Sequence, residues 1–156
     1  MTDVTVTETE DLGLVASMAG DNEHVNAPTS HAGSKIHYLA RKDGETVGTG
    51  WTRTLLRKIG VVGGMYVEEE HRGQGIGGEL LEALCERLAR DGCRIAVLGV
   101  HRENIAGTSF YQDHGFRTLL PWLPSLKPWL PFAGTVEERL SVPLPPKPVK
   151  IMYRKL

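Results

Sequence analysis

Residues 68–78 read EEEHRGQGIGG, and the helical pattern of residues 76–90 starts inside this stretch. Four of the six positions from 73 to 78 are glycine, which lacks a Cβ and lets the backbone turn tightly and approach a ligand. The start of a helix adds unpaired N–H groups and the positive end of the helix dipole. The stretch therefore predicts a phosphate-binding bend, with a plain glycine-rich connector as the alternative.

This loop differs from the two common nucleotide-binding motifs. No Lys-Ser or Lys-Thr pair follows its last glycine, as a Walker loop requires. No acidic residue ends the strand that follows the helix, as a dinucleotide-binding fold needs. A nucleotide-binding protein is therefore the weaker alternative.

Apolar periodicity divides the rest of the chain into strands and helices. Val4 and Val6 alternate with threonines, as in a strand, and apolar residues recur at helical spacing after Gly75. Asp43-Gly44 predicts a hairpin turn. The predicted elements are a strand at 3–8, a helix capped near Asp11, a loop at 20–34, strands at 36–40, 45–56 and 59–67, a helix at 75–90, a strand at 94–100, a helix at 104–114, a strand at 116–120, a proline-rich segment at 121–148 and a strand at 149–156.

These elements predict an α/β (α+β) fold: one domain over residues 1–156, with a mixed central sheet of about seven strands flanked by helices. The length of 156 residues suits one domain with a real core. A net charge of −1 gives no basic footprint for nucleic acid. The proline-rich segment reads as an insertion before the last strand.

Several features of the sequence also indicate the cellular compartment. The first ten residues lack the basic start and apolar run of a secretory signal, and no stretch approaches the roughly 20 apolar residues of a membrane span. Cys85 and Cys93 form no disulfide framework, and Cys85 falls in the apolar pattern of a helix. We therefore expect a cytoplasmic protein with no membrane, nucleic-acid or metal partner.

Two motifs resemble those of one family. The first is Arg72-x-x-Gly75-x-Gly77, between a strand and the long helix. The second is NIAGTSFYQDHGF, which carries Asn104, Tyr111 and Gly115. Both are similar to segments of the GNAT superfamily of acyl-CoA-dependent N-acetyltransferases, in the same order and structural context. The resemblance covers residues 59–120 closely and residues 1–58 only in element order.

The resemblance implies a binding mode for acetyl-CoA as the co-substrate. Strands four and five would splay apart, with the pantetheine arm in the gap. Main-chain groups on strand four would contact the acetyl and pantetheine groups, and an N–H there would polarise the thioester carbonyl. The loop amides would bind the pyrophosphate. The implied cofactor-binding residues are Met65, Tyr66, Val67, Arg72, Gly73, Gln74, Gly75, Ile76, Gly77, Gly78 and Asn104. Asn104 also fits a helix N-cap, and both roles can coexist.

Tyr111 is the catalytic residue that the resemblance implies. It would protonate the departing CoA thiolate after direct attack by a primary amine of a small molecule, peptide or protein; the alternative is a packing residue beside Phe110. Glutamates that serve as general bases in some relatives correspond here to Val61 and Gly99, so neither base is present. His37, His101, Glu68 and His24 are candidates by residue type, with His37 and His101 ranked first. A water relay, or an acceptor of low pKa, would remove the need for a base.

The acceptor side of the molecule leaves several alternatives open. The motif PWLP occurs at 121–124 and again at 128–131. It suggests a hydrophobic lid on the acceptor site, a flap packed on its own domain or a homodimer contact, and more weakly a ligand for an SH3-like partner. Glutamates that could attract a cationic amine, or simply form a solvated face, are Glu68, Glu69, Glu70, Glu137 and Glu138. A non-catalytic acyl-CoA-binding module is the competing function.

Overall fold

A computed structural model describes residues 3–19, 35–56, 58–123 and 149–156. Its elements are β1 Val4–Thr9, α1 Leu12–Ala19, β2 Ile36–Lys42, β3 Glu45–Leu56, β4 Ile59–Val67, a 3₁₀ turn Glu69–His71, α2 Ile76–Arg90, β5 Ile95–His101, α3 Ile105–Asp113, β6 Arg117–Leu123 and β7 Val149–Lys155. The predicted loop at 20–34 and residues 124–148 of the proline-rich segment lie outside the described residues. No helix within the described ranges is long and apolar enough to cross a membrane.

The seven strands form one sheet in the order β1-β2-β3-β4-β5-β7-β6. All neighbours are antiparallel except β4 and β5, which are parallel. A parallel pair needs a crossover, and α2 provides it. The predicted fold class, a mixed sheet of about seven strands with flanking helices, is confirmed.

Local chemistry explains why these elements begin and end where they do. Asp11 Oδ1 accepts a hydrogen bond from Leu14 N–H at 2.9 Å, so it caps α1 as predicted. Asp43 and Gly44 both have positive φ, 51° and 87°, as the tight turn between β2 and β3 requires. Gly92, with φ 86°, follows the end of α2 in the left-handed conformation typical of a helix stop.

Strand β6 is longer than the sequence predicts. We expected a strand at 116–120 followed by a proline-rich segment from 121, whereas β6 runs from Arg117 to Leu123 and takes in the first Pro-Trp-Leu. Leu120 pairs with Ile151 and Leu123 with Val149, with a register shift between them. A proline is tolerated here because β6 lies at the edge of the sheet, where a missing N–H breaks little of the ladder.

Helix α2 covers one face of the sheet and builds the main core. Its buried residues are Ile76, Leu80, Leu81, Leu84, Cys85 and Leu88. Gly60 on β4 makes room for them, because a Cβ there would lie 2.3 Å from a Leu88 methyl carbon. The opposite face carries α1, whose Val15 packs with Leu39 and Tyr66. The sheet, with β4 and β5 at its centre, thus lies between the two helices.

Candidate active site

Strands β4 and β5 pair over only three residues before they part. The paired positions are Ile59 with Ile95, Gly60 with Ala96, and Val61 with Val97. Beyond them β4 continues to Val67 beside β3, and β5 continues to His101 beside β7. The edges of β4 and β5 that face each other therefore have no partner strand from Val62 and Leu98 onward, within the described residues. This is the splay expected between strands four and five.

The glycine loop lies at the end of β4 and leads into α2. Gly73 and Gly75 have φ values of 74° and 85°, which non-glycine residues rarely adopt, and a Cβ at either would meet no atom within 4 Å. Arg72 N–H donates to Glu69 O, and the next main-chain N–H along the chain that has an acceptor is that of Glu79, which donates to Gly75 O at 3.1 Å. Across the described chain, the N–H groups of residues 73–78 have no protein acceptor. The loop is thus an open set of donors at a helix start.

The other two glycines of the loop have a packing role. A Cβ at Gly77 would lie 3.4 Å from Phe110 Cζ, and one at Gly78 would lie 2.7 Å from His114 Nε2. Residues 77 and 78 are therefore glycine because α2 and α3 meet there. The sequence did not distinguish this pair from Gly73 and Gly75, since all four follow one another in a single run.

Side chains of the loop tie it to the strands. Arg72 Nε donates to Val67 O at 2.9 Å, and its guanidinium carbon is 5.8 Å from the Tyr66 ring centroid. Gln74 accepts from Lys42 Nζ and donates to Glu70 O at 3.1 Å. These contacts connect the loop to the ends of β4 and β2. These contacts fix the position of the loop, and none of them involves the N–H groups of residues 73–78.

The side chains of β4 residues 65–67 are used in packing. Met65 and Val67 pack with the clusters under α2, whereas Tyr66 packs with the cluster under α1. Side chains that alternate in this way leave the main chain as the part of the strand that faces the opening. The main-chain role that the resemblance implies for these residues stays a prediction.

Helix α3 carries Tyr111 and is preceded by Asn104, and its Phe110 approaches Gly77 at the start of α2. Asn104 Oδ1 accepts from Gly107 N–H at 2.8 Å, so the alternative role of N-cap is confirmed. The Tyr111 ring packs edge-on against Phe110 and Phe116, with centroids 5.2 Å and 6.0 Å away. Burial raises the pKa of Tyr111 to about 12. Its hydroxyl has no hydrogen-bond partner among the described residues.

The candidate bases occupy different places. His37 on β2 is buried, and its pKa is lowered first by burial and then by the charge of Lys35. His101 is the half-buried last residue of β5. Glu68 precedes the 3₁₀ turn, with Oε2 3.6 Å from His71 Nδ1. His24, like Glu137 and Glu138, lies outside the described residues, and Glu69 and Glu70 are exposed.

A tryptophan on β3 marks the point where β4 leaves β5. A Cβ at Gly63 or Gly64 would lie 2.2 Å or 2.5 Å from the Trp51 ring, so the indole lies directly on these glycines. Gly64 has a φ of 58°, and the register between β3 and β4 shifts between Thr49 and Trp51. Sequence reasoning missed this contact; its one local signal was the Gly-Gly pair inside a strand.

Comparison with known proteins finds one family. The model of the acetyltransferase (GNAT) family matches residues 9–116. A mycothiol acetyltransferase of Streptomyces griseus is 34% identical over 85 residues, which make up 54% of this chain and 28% of that protein. A protein of Archaeoglobus fulgidus named as an uncharacterized N-acetyltransferase is also 34% identical, over 51% of this chain and 58% of that protein. The chain thus matches less than two thirds of the length of either relative.

A solved structure is similar over nearly the whole chain. A GNAT family acetyltransferase of Elizabethkingia anophelis, crystallised with acetyl-CoA bound, superposes with a TM-score of 0.70 at 17% identity. The match covers 98% of both chains. At this identity the likeness supports the fold, in agreement with the strand order and the splay described above.

Proposed function

This chain belongs to the acetyltransferase (GNAT) family, and we propose that it transfers an acetyl group from acetyl-CoA to a primary amine of a small molecule, peptide or protein. The observation that carries the proposal is the row of open amides at residues 73–78, beside the opening between β4 and β5. Backbone donors at a helix start suit a diphosphate, and hydrogen bonds to charged groups contribute about 1.5–3 kcal/mol each.

The described residues fit this co-substrate. Residues 73–78 would hold the pyrophosphate, and the main chain of Met65, Tyr66 and Val67 would hold the arm that enters the opening. When bound, acetyl-CoA supplies an acetyl group already activated as a thioester. Because Arg72 is bonded to Val67 O, the loop is ordered before binding, which lowers the entropy cost of forming the contacts. The Asn104 amide nitrogen would add a contact alongside its capping role.

Tyr111 would act as the general acid. A hydroxyl with a pKa of about 12 stays protonated throughout the neutral range, so it can always donate. Transfer of its proton to a free thiolate, whose conjugate acid has a pKa of about 8.5, is uphill. The donation therefore works only while the sulfur is held against the hydroxyl in a site from which water is excluded.

The acceptor must reach the site as a neutral amine, because an ammonium has no lone pair. An alkyl amine with a pKa of about 10.4 is almost wholly protonated at pH 7. Of the two histidines ranked first, we propose His37 as the base, because its lowered pKa keeps the imidazole neutral and therefore free to accept a proton. A water relay would serve the same purpose.

The proline-rich insertion would contribute to the acceptor side. Leu123, near the start of the segment, pairs with Val149, which follows its end, and Val149 also pairs with His101 at the end of β5. Both ends of the segment are therefore anchored at the mouth of the opening. We propose that the segment covers the acceptor site as part of a single domain of residues 1–156, with a flap packed on its own domain or a contact between two copies of the chain as the competing roles.

Calorimetric titration with acetyl-CoA, followed by a thiol-release assay over a panel of amines, tests the proposal. Tight binding with turnover on at least one amine is the expected result. Binding without turnover on any amine would favour a non-catalytic acyl-CoA-binding module. ATP that displaces acetyl-CoA would favour a nucleotide-binding protein instead.

A further inference from the structure

Three polar side chains share the face of the sheet that carries α1. His37 on β2 is the cross-strand partner of Trp51 on β3, and Arg53 lies two residues further along β3, so all three point the same way. Their exposed fractions are 8%, 9% and 3%. A buried arginine on a strand is uncommon, because such charges are normally paired. We refer to His37, Trp51 and Arg53 as the donor cluster.

Each member of the donor cluster has a buried nitrogen without a hydrogen bond. These atoms are His37 Nδ1, Trp51 Nε1 and Arg53 Nε, and none has a partner within the described ranges. The tryptophan and arginine nitrogens can only donate, and the imidazole can donate in one of its tautomers. Buried donors left unpaired are costly, and several of them on one face call for a water, an ion or a ligand that accepts from them.

The surroundings of the cluster are cationic. Lys35 Nζ lies 4.4 Å from the centre of the Trp51 ring. The pKa of Lys35 is lowered by burial and then by Arg53, and that of His37 by burial and then by Lys35. Both shifts arise from burial and from repulsion by a neighbouring cationic group. An anion bound against Arg53 would therefore be more favourable here than an ammonium group.

The position of the cluster relates it to the opening in the sheet. Arg53 is paired with Val61, the last residue of β4 that pairs with β5, and Trp51 lies on Gly63 and Gly64 just beyond it. The donors therefore stand beside the start of the opening, on the face opposite α2. A molecule that brings an amine to the opening from this face would place another of its groups against them.

We propose that the donor cluster binds an anionic group of the acceptor, so that the acceptor is a small amine that also carries a carboxylate or a phosphate. The inference rests on the proposed acetyl transfer. Arg53 Nε and Trp51 Nε1 donate to the anion, and His37 Nδ1 adds a third hydrogen bond. The anion also reduces the electrostatic repulsion between Arg53 and Lys35, which favours a charged acceptor over a neutral one of the same shape.

Matched amine pairs test the proposal. Rates are measured for β-alanine against β-alaninamide and for phosphoethanolamine against ethanolamine. We expect kcat/KM at least about tenfold higher for an anionic member, and the two pairs show whether carboxylate or phosphate is preferred. Arg53→Met should remove the preference and Arg53→Lys should keep part of it. Arg90→Met, at an exposed position in the last turn of α2, should leave it unchanged.

A binding measurement separates this inference from the proposed reaction. The indole N–H signal of Trp51, assigned with Trp51→Phe, should shift when phosphoethanolamine or β-alanine is added, and should not shift with ethanolamine. If the wild type acetylates no amine but the signal still shifts, the transfer reaction is wrong and the anion site stands. Equal rates within both pairs, or an unchanged preference in Arg53→Met, would overturn the anion site. So would an indole signal that no anionic amine shifts.

Discussion

The loop at residues 73–78 and the donor cluster of His37, Trp51 and Arg53 are two sets of hydrogen-bond donors without acceptors in the described chain, and they are built in opposite ways. The loop is exposed and uses main-chain N–H groups, so its function depends on backbone conformation. The cluster is buried and uses side-chain nitrogens, so its function depends on residue identity. Substitutions should therefore affect the loop through φ angles and charge, and the cluster through the loss of individual donors.

The largest expected effect is at the loop. Gly75→Glu places a carboxylate beside the amides and forces a φ of 85° on a residue with a Cβ, so acetyl-CoA binding measured by calorimetry should weaken by at least about 100-fold. Gly92→Glu is the matched control, because Gly92 has φ 86° and open space at the other end of α2. It should be destabilised equally but should bind normally. Equal binding by the two variants would mean that the loop does not hold the cofactor.

Next in size is the effect of removing the proposed acid, which lies in neither set of donors. Tyr111→Phe keeps the edge-on contacts with Phe110 and Phe116 but loses the hydroxyl, so kcat should fall about 10²- to 10⁴-fold with an unchanged Kd for acetyl-CoA. Single-turnover kinetics would measure the chemical step. Tyr153→Phe on β7 is the control and should keep the wild-type rate. A Tyr111→Phe enzyme with full kcat would refute the acid role.

A smaller effect is expected where α2, which carries the loop, rests on the sheet. Gly60→Ala drives a Cβ to 2.3 Å from a Leu88 methyl carbon, so urea denaturation should show a loss of about 1–3 kcal/mol. Gly99→Ala on β5 is the comparison, because its Cβ would meet only ordinary contacts at 3.8–3.9 Å. That variant should be as stable as the wild type or slightly more stable. Similar losses in both variants would point to a general intolerance of strand glycines.

The smallest effect concerns pH and the donor cluster. The folded pKa of His37 is lowered, so between that value and the unfolded value of about 6.5 the unfolded chain binds more protons. Stability should therefore fall as pH drops through this window, by at most about 1.4 kcal/mol per pH unit, and then level off. His37→Gln should have a smaller difference between its urea midpoints at pH 7.5 and pH 5. An unchanged difference would mean that His37 titrates normally in the fold.

Much of the fold was predictable because its signals are local. The bounds of β3 and β4 agree with the structure to the residue, and Asp11, Gly92 and Asn104 act as the caps and stops that their chemistry predicts. Strand β6 was predicted too short at its end, because a proline in sequence reads as a break. Whether it interrupts a strand depends on whether the strand lies at an edge, and only the sheet order reveals that.

In the candidate site, too, some residues had roles that the sequence could predict and others did not. The left-handed bend at Gly73 and Gly75 was predictable, since the order of glycines before a helical pattern is itself the signal, and its binding of an anion stays a prediction. The packing role of Gly77 and Gly78 was not, because His114 and Phe110 reach them from a helix more than thirty residues away in the chain. The spacing of Trp51 and Arg53 implies a shared face. That His37 joins them depends on the register between β2 and β3.

By itself, the sequence determined the order of strands and helices, the glycine bend and the two motifs that resemble the GNAT family. Periodicity, caps and turns act within a few residues, so they can be read without a structure. The tertiary structure alone decided that β4 and β5 part after Val61 and Val97, and that three buried donors share one face of the sheet beside that opening. Strand pairing joins residues that are far apart in the chain. It therefore decides which hydrogen-bond donors find an acceptor within the protein, and local sequence patterns cannot show this.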